Sequence, residues 1–109
     1  MKTKTVKIGD KEVLLKASGY TPLLYSNLFG ANIFAEMQSI VESAATTGKV
    51  PFDKVIILYQ LAYCMAKHAD DSIPPIEEWL DQFDPYDIPA VAGDMIELWA
   101  EESKQQSTP

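Results

Sequence analysis

The run VIILYQLAYCMA at residues 55–66 is apolar on nearly every side, interrupted by Gln60. A helix written this way has no wide polar face, so it belongs at the centre of a fold with other elements packed around it. It falls well short of the roughly 18 apolar residues that a membrane span needs. The helix is expected to start near Pro51 and to run to about His68, ahead of the break DDSIPP at residues 70–75.

Upstream, residues 3–8 and 12–17 are rich in Thr, Val, Ile and Leu and are separated by Gly9 and Asp10, a pair suited to a type II′ turn. In the first arm Lys4, Val6 and Ile8 alternate with Thr3, Thr5 and Lys7, so one side can cover a core while the other stays wet. A lone hairpin is marginal in water, and helices must pack on it. Thr21 and Pro22 mark a helix start, with the hydroxyl as cap and the proline where its missing N–H costs nothing. Gly30 stops that helix. Asn32 caps a second one, in which Ile33, Phe34, Met37, Ile40, Val41 and Ala44 recur at helical spacing before Thr46, Thr47 and Gly48 end it.

Downstream of the break, Ile76, Trp79, Leu80 and Phe83 define a fourth helix, with Glu77 and Glu78 near its positive N-terminal end and Asp84 and Pro85 as its stop. A fifth, from Ile88 or Pro89 to Glu102, carries Ile88, Val91, Ala92, Met95, Ile96 and Trp99 on one side. The expected architecture is α+β, mainly α: a single domain over 1–109, with a β-hairpin at 1–17 packed on a cluster of four or five helices at 21–102. SKQQSTP at 103–109 is a polar, flexible tail.

Composition excludes several functions. Hydrophobic residues make up 47% of the chain and charged residues 23%, which suits an ordinary globular domain rather than a disordered one. Cys64 is the one cysteine, so no internal disulfide can form. The basic start MKTKTVKIGD leads into no apolar stretch of signal-peptide length, and the expected location is the cytoplasm. All nine basic residues are lysines, and five of them (Lys2, Lys4, Lys7, Lys11, Lys16) precede position 17, beside only Asp10 and Glu12. Residues 69–102 hold eleven carboxylates and no lysine. Such a surface repels a phosphate backbone, and without arginine the chain also lacks the fork that grips phosphate or guanine in bidentate fashion. Neither nucleic acid nor membrane is an expected partner.

The residue types that carry chemistry do not assemble into a mechanism. Cys64 and His68 share a helix face, but a zinc site takes three or four protein ligands and a Cys–His catalyst needs an orienting group and an oxyanion pocket. Their expected roles are a small core residue and a group placed to carry positive charge at a helix C-terminus. Glu77, Glu78, Asp81 and Asp84 lie opposite an apolar stripe, which makes them a solvated face rather than a desolvated acid/base pair. No calcium loop and no phosphate-binding glycine pattern occurs. No metal, cofactor or catalytic residue is therefore assigned. The candidate partner-binding residues are Trp79, Phe83, Tyr86 and Trp99, since tryptophan and tyrosine dominate binding hot spots. Core packing competes for Trp79 and Phe83, and Tyr86, in a connecting turn, is the better exposed anchor.

The order KIGDKEVLLK, YTPLLYSNLFGANIF, QLAYCMAKHAD, IPPIEEWLDQFDP and IELWAEE resembles that of the tail assembly chaperones of long-tailed phages and prophages of Gram-positive bacteria. The resemblance spans nearly the whole chain. Its most specific parts are the LFG turn at residues 28–30 and the IPPIEEWLDQF segment at 73–83. It implies a non-enzymatic protein of the host cytoplasm, absent from the mature virion, that keeps the tape-measure protein soluble and helps recruit the tail-tube protein. It also implies a frameshift-extended form of the same chain as a partner. The client surface is expected between Trp79 and Trp99, with the turn at 28–33 as the next choice and the lysine-bearing hairpin as a contact between copies in a homo-oligomer. The eleven carboxylates suit an alternative, an acidic DNA mimic that inhibits a nuclease or repressor by filling its basic site. Binding by a mimic falls steeply with salt, whereas apolar client binding does not.

Overall fold

A computed structural model describes the backbone of residues 2–47 and 54–107. Within them an antiparallel hairpin, β1 (Lys2–Ile8) and β2 (Lys11–Ala17), is followed by six helices. These are α1 (Thr21–Phe29), α2 (Ile33–Thr47), α3 (Val55–Ala69), α4 (Ile76–Asp81), α5 (Asp87–Ala90) and α6 (Ala92–Ser107). The fold is α+β and mainly α, with the hairpin laid on the helices.

The central position of α3 follows from its sequence. Six successive residues, Leu61, Ala62, Tyr63, Cys64, Met65 and Ala66, are all buried. A helix can bury consecutive positions only if neighbours cover it on several sides, and here β2, α1, α4, α5 and α6 all pack against it. Val6 and Ile8 from β1 and Leu15 and Ala17 from β2 join the same core, while Thr3, Thr5 and Lys7 stay wet. Positive φ at Gly9 alone, and not at Asp10, matches the expected turn type.

Local signals were met unevenly. Gly30 is left-handed, at φ 65°, and its N–H bonds to Ser26 O at 2.7 Å, which closes α1. Asn32 Oδ1 accepts from Phe34 N–H at 2.9 Å, the expected cap of α2. The Thr21 hydroxyl, however, does not cap α1. It accepts from Ser18 N–H at 2.8 Å, while Ser18 Oγ accepts from Tyr20 N–H at 3.1 Å, so a small turn ahead of the helix takes up the hydroxyls and Tyr20 becomes the boundary residue. α4 ends at Asp81, before Asp84 and Pro85, with Gln82 already in the closing turn.

The expected fifth helix is two. At Val91 the N–H bonds to Ile88 O at 3.0 Å, a tightened turn that ends α5, and α6 restarts at Ala92. The last helix also outruns its expected end at Glu102 and stays helical to Ser107, because Lys104, Gln105 and Gln106 are good helix formers and no glycine or proline intervenes. The expected stop at Gly48 and the start near Pro51 lie outside the described residues.

Candidate protein-binding surface

Two tyrosines one turn apart on α3 hold down the segment that carries the candidate anchors. Tyr63 donates to Pro74 O at 2.7 Å, and Tyr59 donates to Pro85 O at 2.5 Å. Both acceptors are proline carbonyls in the connections on either side of α4, outside any helical hydrogen-bond ladder. Between them α4 lays Trp79 on Tyr63, with ring centroids 5.6 Å apart, and Phe83 stands edge-on to Trp79 at 5.1 Å. Burial and the nearby Glu77 carboxylate raise the Tyr63 pKa, so the hydroxyl remains a donor at neutral pH.

The four candidate residues do not form one patch. Trp79 is only 4% exposed and packs with the core, so it is not an exposed anchor. Phe83 is half-buried and shares an apolar cleft of about 260 Å³ with Tyr59, Leu80, Pro85 and Ile88. Tyr86, one residue past Pro85, is 83% exposed. Its turn is fixed beneath it by Asp84 N–H on Asp87 Oδ2 at 2.9 Å and Asp87 N–H on Asp84 O at 3.1 Å. Trp99 packs on Phe34 of α2 instead, with centroids 5.5 Å apart.

The Phe34–Trp99 contact leads to apolar surface on α2. Ile33, Met37 and Ile40 are buried, but Phe34 is 59% exposed and Val41 is also exposed. The readable signal was width: seven apolar residues within twelve make a stripe broader than the one face that α2 turns inward. Leu23 on α1 and Ile56 on α3 are exposed as well. An open cleft of about 430 Å³ at the α1–α2 turn is lined by Pro22, Ala31, Ile33 and Phe34. That turn is the second of the two expected places.

Cys64 and His68 go separate ways. Cys64 is fully buried, and desolvation pushes its thiol up to about 12, which leaves it a core residue. His68 is not a waiting cation. Burial first, and Lys16 second, lower its pKa. Its ring nitrogens lie 3.4 Å from Ser18 Oγ and Thr21 Oγ1, and Tyr20 stands edge-on at 5.3 Å. A neutral imidazole there joins the hairpin's exit to the end of α3. Among the described residues no three His, Cys, Asp or Glu side chains gather as a metal site.

Compared with known proteins, the chain matches no family, no characterised protein and no solved structure.

Proposed function

We propose that this protein is a non-enzymatic tail assembly chaperone of a long-tailed phage or prophage, working in the host cytoplasm and absent from the mature virion. It holds the tape-measure protein soluble and helps to bring in the tail-tube protein, alongside a frameshift-extended form of itself. The observation that carries this reading is Tyr86, 83% exposed beside the Phe83–Pro85–Ile88 cleft in a stretch with eleven carboxylates and no lysine. An apolar helical client can seat an anchor residue in such a cleft, while the surrounding charge keeps the loaded complex dissolved. The resemblance of the IPPIEEWLDQF and LFG segments supports the choice of client. Among the described residues no helix is long and apolar enough to cross a membrane, which suits a cytoplasmic role.

Co-expression with the tape-measure protein of the same phage or prophage tests the proposal. A soluble complex that survives molar salt is expected. A tape-measure protein that stays insoluble beside the folded chain contradicts it, and a complex that dissociates on moderate salt favours the DNA-mimic alternative.

A further inference from the structure

β2 has a free edge with a cleft beside it. In a hairpin closed by a two-residue turn, the pair flanking the turn exchanges hydrogen bonds, and bonded and unbonded pairs alternate from there. The register Ile8↔Lys11, Lys7↔Glu12, Val6↔Val13, Thr5↔Leu14 therefore turns the backbone N–H and C=O of Lys11, Val13 and Leu15 toward β1. Those of Glu12, Leu14 and Lys16 point away from it. At Lys16 the outward side faces His68, whose ring lies close to its backbone. Among the described residues, no hydrogen bond occupies the outward backbone groups of Glu12 or Leu14. Both residues are exposed, Leu14 at 47%.

The cleft beside this edge has a volume of about 360 Å³. Residues 11–14 form one wall, and Ile73, Pro74 and Trp79 make the facing wall apolar. Glu12 and Asp70 place two carboxylates along it, and Lys11 stands at the end nearer the hairpin turn.

We propose that this cleft takes an extended segment of another polypeptide as a third strand on β2. The unpaired groups of Glu12 and Leu14 sit two residues apart, the repeat at which an added strand presents its own N–H and C=O. Charge sets the register. A lysine or arginine of the segment lies opposite Glu12, where an opposite-charge cross-strand pair is favourable, and a β-branched residue lies opposite Leu14. The residue between them faces the other way, onto Ile73, Pro74 and Trp79, and is apolar. The segment runs antiparallel to β2 and so reads β-branched, apolar, basic from its N-terminus, and it binds extended rather than helical. This inference does not rest on the chaperone reading, because the edge selects for backbone and pattern and not for a particular client.

The test titrates the full ¹⁵N-labelled chain with a capped nonapeptide centred on Val-Val-Lys, up to millimolar concentration. Amide exchange at Glu12 and Leu14 slows, and the Trp79 indole N–H resonance shifts. N-methylation of the peptide at its lysine and first valine, whose amides face β2, abolishes the effect. Replacing the peptide's lysine by glutamate weakens binding by about fivefold, and Glu12→Lys in the protein reverses that preference. Unchanged exchange at Glu12 and Leu14, or equal binding of the N-methylated peptide, overturns the proposal. Chemical-shift changes confined to the Tyr86 turn or to α2 overturn it too, since they assign the peptide to another surface.

Discussion

The hydroxyl of Tyr25 on α1 donates to the carboxylate of Glu36 on α2, and the same oxygen lies 3.0 Å from the side-chain amide of Gln60 on α3. Tyr25 is fully buried. The one phenol proton is shared between two acceptors, the Glu36 carboxylate and Gln60 Oε1. A single side chain thus ties three helices together, and the one polar break in the central apolar run is explained by it.

Tyr25→Phe leaves a carboxylate and an amide without their shared partner and should cost about 1–3 kcal/mol, read from urea denaturation. The same group gives an alkaline signature. Burial, reinforced by Glu36, raises the Tyr25 pKa above its ordinary value of 10.0, and burial raises that of Cys64 above 9.0. Folding therefore favours the neutral forms. Their stabilisation is complete below the unfolded-state values and is lost as pH rises past about 9 to 10. The urea midpoint should fall over that range, and less steeply in Tyr25→Phe.

His68 gives the acid counterpart. Its folded-state pKa lies below the ordinary 6.5. The neutral ring's contribution is thus fully present above pH 6.5 and is lost as pH falls through the folded value, because the unfolded chain takes up the proton first. Stability should decline on acidification in this window, and His68→Gln should flatten the decline. An equal slope in that variant would show that His68 is not the group responsible.

Two glycines should resist substitution for different reasons. At Gly30 no atom lies within 4 Å of an added Cβ, so the cost of Gly30→Val is conformational, about 1–2 kcal/mol from φ 65°. At Gly9 a Cβ would stand 2.6 Å from Asp87 Oδ2 as well as sitting at φ 64°. Gly9→Ala should therefore be the more damaging of the two relative to residue size, and Asp87→Ala should recover part of the loss. Thermal melts of the two variants and the double mutant separate these terms.

Trp79 and Tyr86 separate stability from binding. Trp79→Ala should cost about 3–5 kcal/mol, the range for a buried aromatic, whereas Tyr86→Ala should stay within about 0.5 kcal/mol of the parent. Denaturation midpoints of both variants check this, and a large loss in Tyr86→Ala would place its ring in the core.

The hairpin, the turn at Gly30, the Asn32 cap and the central place of α3 were all legible because each rests on local chemistry: alternation, a positive-φ glycine, a side-chain acceptor and an apolar run. What could not be read depended on neighbours distant in sequence. Phe34 and Ile33 are equally apolar, and only the limited cover over α2 decides that one is exposed and the other buried. Thr21 and His68 show the same dependence, since a hydroxyl read as a helix cap and an imidazole read as a terminal charge are drawn together by the packing of α1 on α3. Of the four aromatic candidates, Tyr86 lies on the surface because Pro85 is pinned by Tyr59, a contact 26 residues apart in sequence.

We propose that an apolar surface centred on Tyr86 holds an apolar client. The direct measurement is the affinity of the purified chain and of Tyr86→Ala for the tape-measure protein, at low and at molar salt. We expect binding by the parent that persists in salt and a loss of about tenfold or more in the variant at unchanged fold, a loss on the scale of a binding hot spot. A folded parent with no measurable affinity contradicts the chaperone reading outright. Binding that is indifferent to Tyr86→Ala moves the surface to the Phe34–Trp99 side.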